Sequence, residues 1–182
     1  MTQSNFATYI ERNKRFAATD AKNQVPEIPF IPNKQLYLIT CIDPRVEPAG
    51  IVGSELGDAI VARNVGGRVT PALVKDMAWI VHLHQNVTPD ADWFEVAVIH
   101  HTDCGSGFFT KDELRAGYVA RGGWDEETAM AMAVLDPART VAEDVQKLRT
   151  APELQPEIQN VRIGGYVYDI HTGQITTVVQ PA

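Results

Sequence analysis

The chain has 182 residues, 45% of them hydrophobic and 21% charged, with a formal net charge of -7. That length can bury the core of one domain without disulfide staples, and the acidic balance argues against a nucleic-acid partner, which calls for a basic face. No apolar stretch approaches the ~20 residues needed to cross a bilayer, and residues 1–20 lack a signal-peptide pattern, so no membrane partner and a cytoplasmic location are expected.

Residues 4–18 carry Phe6, Tyr9, Ile10, Phe16 and Ala17 near helical spacing and predict a helix. Such a helix either packs on its own domain or forms an arm laid on a partner subunit. The stretch 23–34 contains Pro26, Pro29 and Pro32, which favour an extended, semi-rigid connection. The division expected is therefore a helical arm and Pro-rich linker, residues 1–34, followed by an α/β domain, residues 35–182.

That domain opens on Leu36-Tyr37-Leu38-Ile39-Thr40, a run that reads as a buried strand, with Pro44 forbidding its continuation. The strand delivers Cys41, Asp43 and Arg45 to its C-terminal end, where open α/β sheets bind ligands. Alternation along an extended segment points all three side chains the same way. Residues 47–58 are glycine-punctuated and hold one short helical turn. Ala59–Arg63 reads as a second buried strand, stopped by Asn64-Val65-Gly66-Gly67. Thr70-Pro71 starts a helix with a buried face of Leu73, Val74, Met77, Ile80 and Val81, reaching about Leu83. His82 and His84 near its end are expected at the surface or as caps.

Phe94–His100 is a third strand that runs into His101-Thr102-Asp103-Cys104-Gly105. Thr110–Glu113 and Thr140–Glu143 both show the capping-box pattern and predict helix starts. The stretch between them, around Gly122-Gly123-Trp124, gives little signal. Residues 161–170 and 174–179 read as strands joined by a tight turn at Thr172-Gly173, hence an antiparallel hairpin. The order of elements predicts an α/β fold, with a mainly parallel sheet flanked by helices and an antiparallel strand at the C-terminus.

The chain's two cysteines, Cys41 and Cys104, combine with His101 into a Cys2His set. Three such ligands suit Zn²⁺ with its fourth position open, whereas a closed structural site normally uses four. His100 and His171 are the further candidates for a fourth ligand. Adjacent His100 and His101 point to opposite faces of a strand, so one of them faces Cys104. Other uses of these residues fit less well. A Cys41–Cys104 disulfide leaves His101, Asp43 and Arg45 without a role. A phosphatase-type nucleophile needs a longer phosphate-cradling loop, and a thioredoxin-like site needs Cys-x-x-Cys. Burial for structure alone would leave Asp43 and Arg45 at a high desolvation cost.

Cys41-x-Asp43-x-Arg45 followed by His101-x-x-Cys104-Gly105 resembles the beta-class carbonic anhydrases. The resemblance takes in Arg63-Asn64-Val65-Gly66 and Gly165-Tyr166-Val167-Tyr168-Asp169 and spans residues 35–180. His-Thr-Asp-Cys-Gly is typical of the shorter prokaryotic branch. Plant-type relatives place a pocket Gln before the first motif, where this chain has Pro32-Asn33-Lys34. The resemblance implies one Zn²⁺ per chain, the reversible hydration of CO2 to bicarbonate and a proton, and a homodimer or higher homo-oligomer whose N-terminal helices embrace the partner. It also implies substrate contacts from Val65 and from backbone N–H groups around Gly66 and Gly105.

Zn²⁺ on Cys41, His101 and Cys104 would lower the pKa of a bound water to ~7. Two thiolates work against this acidification, so Asp43 is expected to accept the hydrogen bond from zinc-bound hydroxide and aim its lone pair. Arg45, forking onto Asp43, would hold that carboxylate ionised. Were the pair broken, Asp43 could ligate the zinc and shut the site. Some proteins of this fold hydrolyse carbonyl sulfide or carbon disulfide with the same zinc set, which is the first alternative. The second is a zinc-binding regulatory module without turnover, to which the Asp43–Arg45 pair would be superfluous.

Overall fold

A computed structural model describes residues 6–19, 32, 34–92 and 94–182. The stretch read as a linker lies outside them, apart from Pro32 and Lys34. Contacts divide the chain into residues 1–31 and 32–182. In the first unit, helix α1 (Ala7–Ala18) forms where the periodicity placed it. It buries none of its side chains, and Tyr9, Ile10 and Phe16, with Phe6 just before them, are exposed.

The second unit holds a five-stranded sheet of order β2-β1-β3-β4-β5, built from β1 (Leu36–Cys41), β2 (Ala59–Asn64), β3 (Glu95–His101), β4 (Ile163–Tyr168) and β5 (Ile175–Val179). The first four strands in that order are parallel and the β4–β5 pair is antiparallel. β1 and β3 are central neighbours, buried almost throughout, as their Val/Ile/Leu-rich sequences require of a sheet covered on both faces. β2, expected to be buried, is half-buried because it has one strand neighbour and Val61 faces outward.

Among the described residues of this unit the helices are α2 (Pro48–Ile51), α3 (Pro71–Val87), α4 (Asp112–Ala120), α5 (Glu126–Ala131) and α6 (Pro137–Thr150). The start of α3 follows the sequence, with Thr70 Oγ1 accepting from Leu73 N–H at 3.2 Å. The helix outlasts the expected end at Leu83 by a turn. His84 is buried there, not at the surface, with Nδ1 3.1 Å from the Thr88 hydroxyl and its ring edge-on to Phe94. Neither capping box forms. Thr110 belongs to a 3-10 turn, Gly105–Thr110, and its hydroxyl donates to the Gly107 carbonyl. α6 begins three residues before Thr140, because the Asp136 carboxylate accepts from Arg139 N–H at 3.0 Å and Pro137 takes the first helical position.

α3 and α6 cover one face of the sheet, packing Leu73, Met77, Val141, Val145 and Leu148 on Tyr37, Ile39, Val96 and Val98. An ionic network penetrates this core. Asp144, fully buried on α6, accepts from Arg68 Nε at 2.7 Å, Lys147 Nζ at 2.7 Å and Val69 N–H at 3.1 Å, with His100 Nε2 at 3.3 Å. Burial alone would push this carboxyl up, but the bonds from His100 and Arg68 outweigh it and hold it well below the usual carboxylate range. The network ties the loop after β2 to α6 and β3.

Asp144→Ala would leave the buried Arg68 with only the more distant Glu143 carboxylate, 3.7 Å away, and should cost about 3 kcal/mol in urea unfolding. The sign with pH follows from the direction of the shift. A depressed carboxyl stabilises fully above its unfolded value of about 4, and that stability is lost as pH falls further. Asp144→Asn should therefore flatten the acid limb of a stability–pH curve, and an unchanged limb would place its origin elsewhere.

Candidate metal centre

Because β1 and β3 are parallel neighbours, their C-terminal ends share one edge of the sheet. Cys41 is the last residue of β1 and His101 the last of β3. Asp103, at φ 52°, then turns the chain so that Cys104 returns to the same edge. The sulfurs of Cys41 and Cys104 are 3.8 Å apart, and the ligand atoms of Cys41, His101 and Cys104 all lie within 4.8 Å of one another, buried. His101 Nδ1 donates to the Thr102 carbonyl at 2.9 Å, which leaves the Nε2 lone pair free. That buried Nε2 has no hydrogen-bond partner among the described residues. A bare nitrogen beside two sulfurs fits a metal ion that takes imidazole and thiolate ligands. The two thiols also share a proton unevenly. The bond to Cys104 pushes the Cys41 thiol up, and the same bond holds the Cys104 sulfur down toward the thiolate.

Neither candidate for a fourth ligand joins this cluster. His100 is bonded to the Thr140 hydroxyl at 2.8 Å on the other side of β3, and His171 is exposed. Asp43 and Arg45 do converge at the site, though not by strand alternation. The strand ends at Cys41, and Asp43 caps a 3-10 turn, Pro44–Val46, by accepting from Arg45 N–H at 2.9 Å. The Arg45 guanidinium folds back onto both Asp43 oxygens, at 3.0 and 2.7 Å. It also reaches the Asp103 carboxylate and carbonyl, each at 2.9 Å. The Arg45 hydrogen bonds hold the Asp43 carboxyl down at about 2, so it is ionised throughout the neutral range.

Two polar side chains at the site have no role assigned from sequence. Arg63 donates to the carbonyls of Cys41 at 3.0 Å and Asp43 at 2.8 Å, and pairs with Glu47. Its signal is present, since it opens the Arg63-Asn64-Val65-Gly66 segment. Ser106 sits against Cys104, and nothing in a lone serine marks such a part. A cavity of about 310 Å³ opens beside Cys41 and Asp43. The expected contacts Val65, Gly66 and Gly105 line it. So does an apolar wall of Ile42, Phe108, Phe109, Leu114 and Tyr118, whose signal is the Phe-Phe pair and the helical spacing of Leu114 and Tyr118.

A family model described as carbonic anhydrase matches residues 36–119. Beta-carbonic anhydrase 1 of Mycobacterium tuberculosis is 27% identical over 152 residues, covering 83% of this chain and 86% of that one. A solved carbonic anhydrase from Glaciozyma antarctica is 30% identical, covering 93% of this chain and 95% of that one, with a TM-score of 0.66. The chain belongs to the beta-class carbonic anhydrase family. Beta-carbonic anhydrases are metalloenzymes, and this chain is an enzyme of the carbonic anhydrase type, a lyase. A carbon disulfide hydrolase of an Acidianus species is also similar, 25% identical over 190 residues, covering 92% of this chain and 87% of that one.

The ligand-bearing end of β1 rests on Gly67. Its φ is 66°, and a Cβ there would stand 2.8 Å from the Cys41 nitrogen. Gly67→Ala should therefore combine left-handed strain with a backbone clash, costing about 2 kcal/mol or more in chemical unfolding. Because the clash falls on Cys41, metal content should drop as well. Wild-type stability and metal content in Gly67→Ala would show that the close approach is not needed.

Proposed function

We propose that the chain is a zinc-dependent carbonic anhydrase that interconverts CO2 with bicarbonate and a proton, holding one Zn²⁺ on Cys41, His101 and Cys104. The observation that supports this reading best is the Arg45 clasp. Both Asp43 oxygens accept from Arg45, and the carboxylate stays outside the three-ligand cluster. A zinc store has no use for such a clasp. When bound, zinc supplies a Lewis acid that brings the pKa of water near ~7 and so provides a nucleophile at neutral pH.

The remaining work falls to the chain's own groups. Ionised Asp43 can only accept hydrogen bonds, so it binds the attacking hydroxyl by its proton and aims the lone pair at the substrate. Arg45 keeps that carboxylate charged and fixed in direction. Phe108, Phe109, Leu114 and Tyr118 give a small apolar electrophile a largely apolar wall to sit against, and Val65 with backbone N–H groups around Gly66 and Gly105 are the proposed substrate contacts. The same apolar wall, together with the similarity to a carbon disulfide hydrolase, favours a second reading in which carbon disulfide or carbonyl sulfide is hydrolysed at this zinc site. Turnover of CO2, carbonyl sulfide and carbon disulfide by one purified sample separates the two.

For the arm we propose a homodimer or higher homo-oligomer, with residues 1–34 as arm and linker on the zinc-binding domain, 35–182. The support is that α1 exposes Tyr9, Ile10 and Phe16. A cytoplasmic location is part of the same proposal, and no helix among the described residues is long and apolar enough to cross a membrane.

Protein purified without added zinc should contain about one zinc per chain and hydrate CO2. Cys104→Ser should lose metal and activity together, since a neutral hydroxyl is a poor zinc ligand. Asp43→Ala and Arg45→Ala should keep zinc and fold while losing turnover by about a hundredfold or more. Near-wild-type turnover in Arg45→Ala would remove the pair from the mechanism, and full activity without any transition metal would end the proposal.

Deleting residues 1–22 should weaken the oligomer in light scattering. A full-length chain that is monomeric at micromolar concentration would refute the arm.

A further inference from the structure

Ser106 stands two residues beyond Cys104 and takes no part in the reaction as proposed above. Its side chain is buried, with Oγ 3.2 Å from Cys104 Sγ. The same oxygen accepts from Val134 N–H at 3.1 Å. Val134 is itself packed against Cys41 and Cys104. A sulfur that holds a metal is a thiolate and has no proton to give. The Ser106–Cys104 contact then has one polarity, in which the hydroxyl donates and the sulfur accepts. Val134 N–H occupies a lone pair of the hydroxyl and fixes its direction, and among the described residues Cys104 Sγ is the acceptor its proton reaches.

The two sulfurs are therefore supported differently. Cys41 Sγ accepts from a backbone N–H group, that of Asp43 at 3.4 Å. Cys104 Sγ is instead in contact with a side-chain hydroxyl, that of Ser106. Each donor aimed at a thiolate takes electron density from the sulfur, and partners of this kind tune both the affinity and the electronics of a metal site. Two thiolates push charge onto a metal and blunt its Lewis acidity, so a donor on one of them acts in the direction catalysis needs.

We propose that Ser106 is a positioning residue that tunes the metal: its hydroxyl, locked by Val134 N–H, donates to the Cys104 thiolate and withdraws charge from it. The proposal rests on Cys104 being a metal ligand. It also distinguishes Ser106 from a space-filling residue, for which a methyl group would serve as well.

The test uses the full chain loaded with Co²⁺, whose thiolate-to-metal charge-transfer absorption reports how tightly the sulfurs hold their electrons. Ser106→Ala should move that band to longer wavelength and weaken zinc binding about tenfold or more in competition with a chelator. Ser106→Thr, which keeps a hydroxyl, should restore both. Where Ser106→Ala is not recovered folded, Ser106→Gly is read in its place. A band at the wild-type position in either hydroxyl-free variant overturns the proposal, as does a Thr variant that behaves like Ala. If neither hydroxyl-free variant folds and loads cobalt, Ser106 is a folding residue and the proposal is equally overturned. A wild-type protein without any charge-transfer band would instead refute Cys104 as a ligand, a separate failure.

Discussion

Two sulfur atoms 3.8 Å apart, with a bare imidazole nitrogen beside them, are hard to satisfy inside a protein without a cation. Ionised together the thiolates repel, and a thiol is only a weak donor to the lone pair of His101. The architecture around them serves to hold this unfavourable group in place. Parallel pairing of β1 with β3 puts Cys41 and His101 on one sheet edge, and the left-handed turn at Asp103 brings Cys104 back to it. The supporting loop after β2 is held in turn by the buried Arg68–Asp144 pair.

The site combines a polar and an apolar surface. Beside the sulfurs, Asp43, Arg45 and Arg63 form a lattice of charge-assisted bonds to carboxylates and backbone carbonyls. The cavity that Asp43 also lines is walled largely by the apolar side chains of Ile42, Phe108, Phe109 and Leu114. In the reaction proposed above, a small neutral electrophile would gain from the second surface and the charged product from the first.

Much of this is legible in the amino-acid sequence, and for identifiable reasons. The strands carrying Cys41 and His101 are continuous apolar runs ended by Pro44 and by a polar turn, so both ligand positions follow from periodicity and breakers. Strand alternation predicts the convergence of Asp43 and Arg45 for the wrong reason, since a 3-10 turn and not an extended strand brings them together. Local patterns mislead where a stronger competitor stands nearby. Asp136-Pro137 starts α6 ahead of the Thr140 capping box, and Thr140 gives its hydroxyl to the helix interior and His100 instead. Long-range polar pairs such as Arg68–Asp144 and Ser106–Val134 leave no periodic trace, because their partners are separated by tens of residues and meet through the fold alone.

The Arg45 guanidinium meets four acceptor atoms in two loops: both Asp43 oxygens, the Asp103 carboxylate and the Asp103 carbonyl. An ammonium group has the charge but not the flat, forked spread of donors needed to reach them together. Arginine and lysine are therefore not interchangeable here. With a lysine at this position the chain would have to choose between its two loops, and whichever it released would leave one aspartate near the sulfurs without its counter-charge. Charge alone would pass as a match in any comparison of sequences, while the shape that does the holding would be lost.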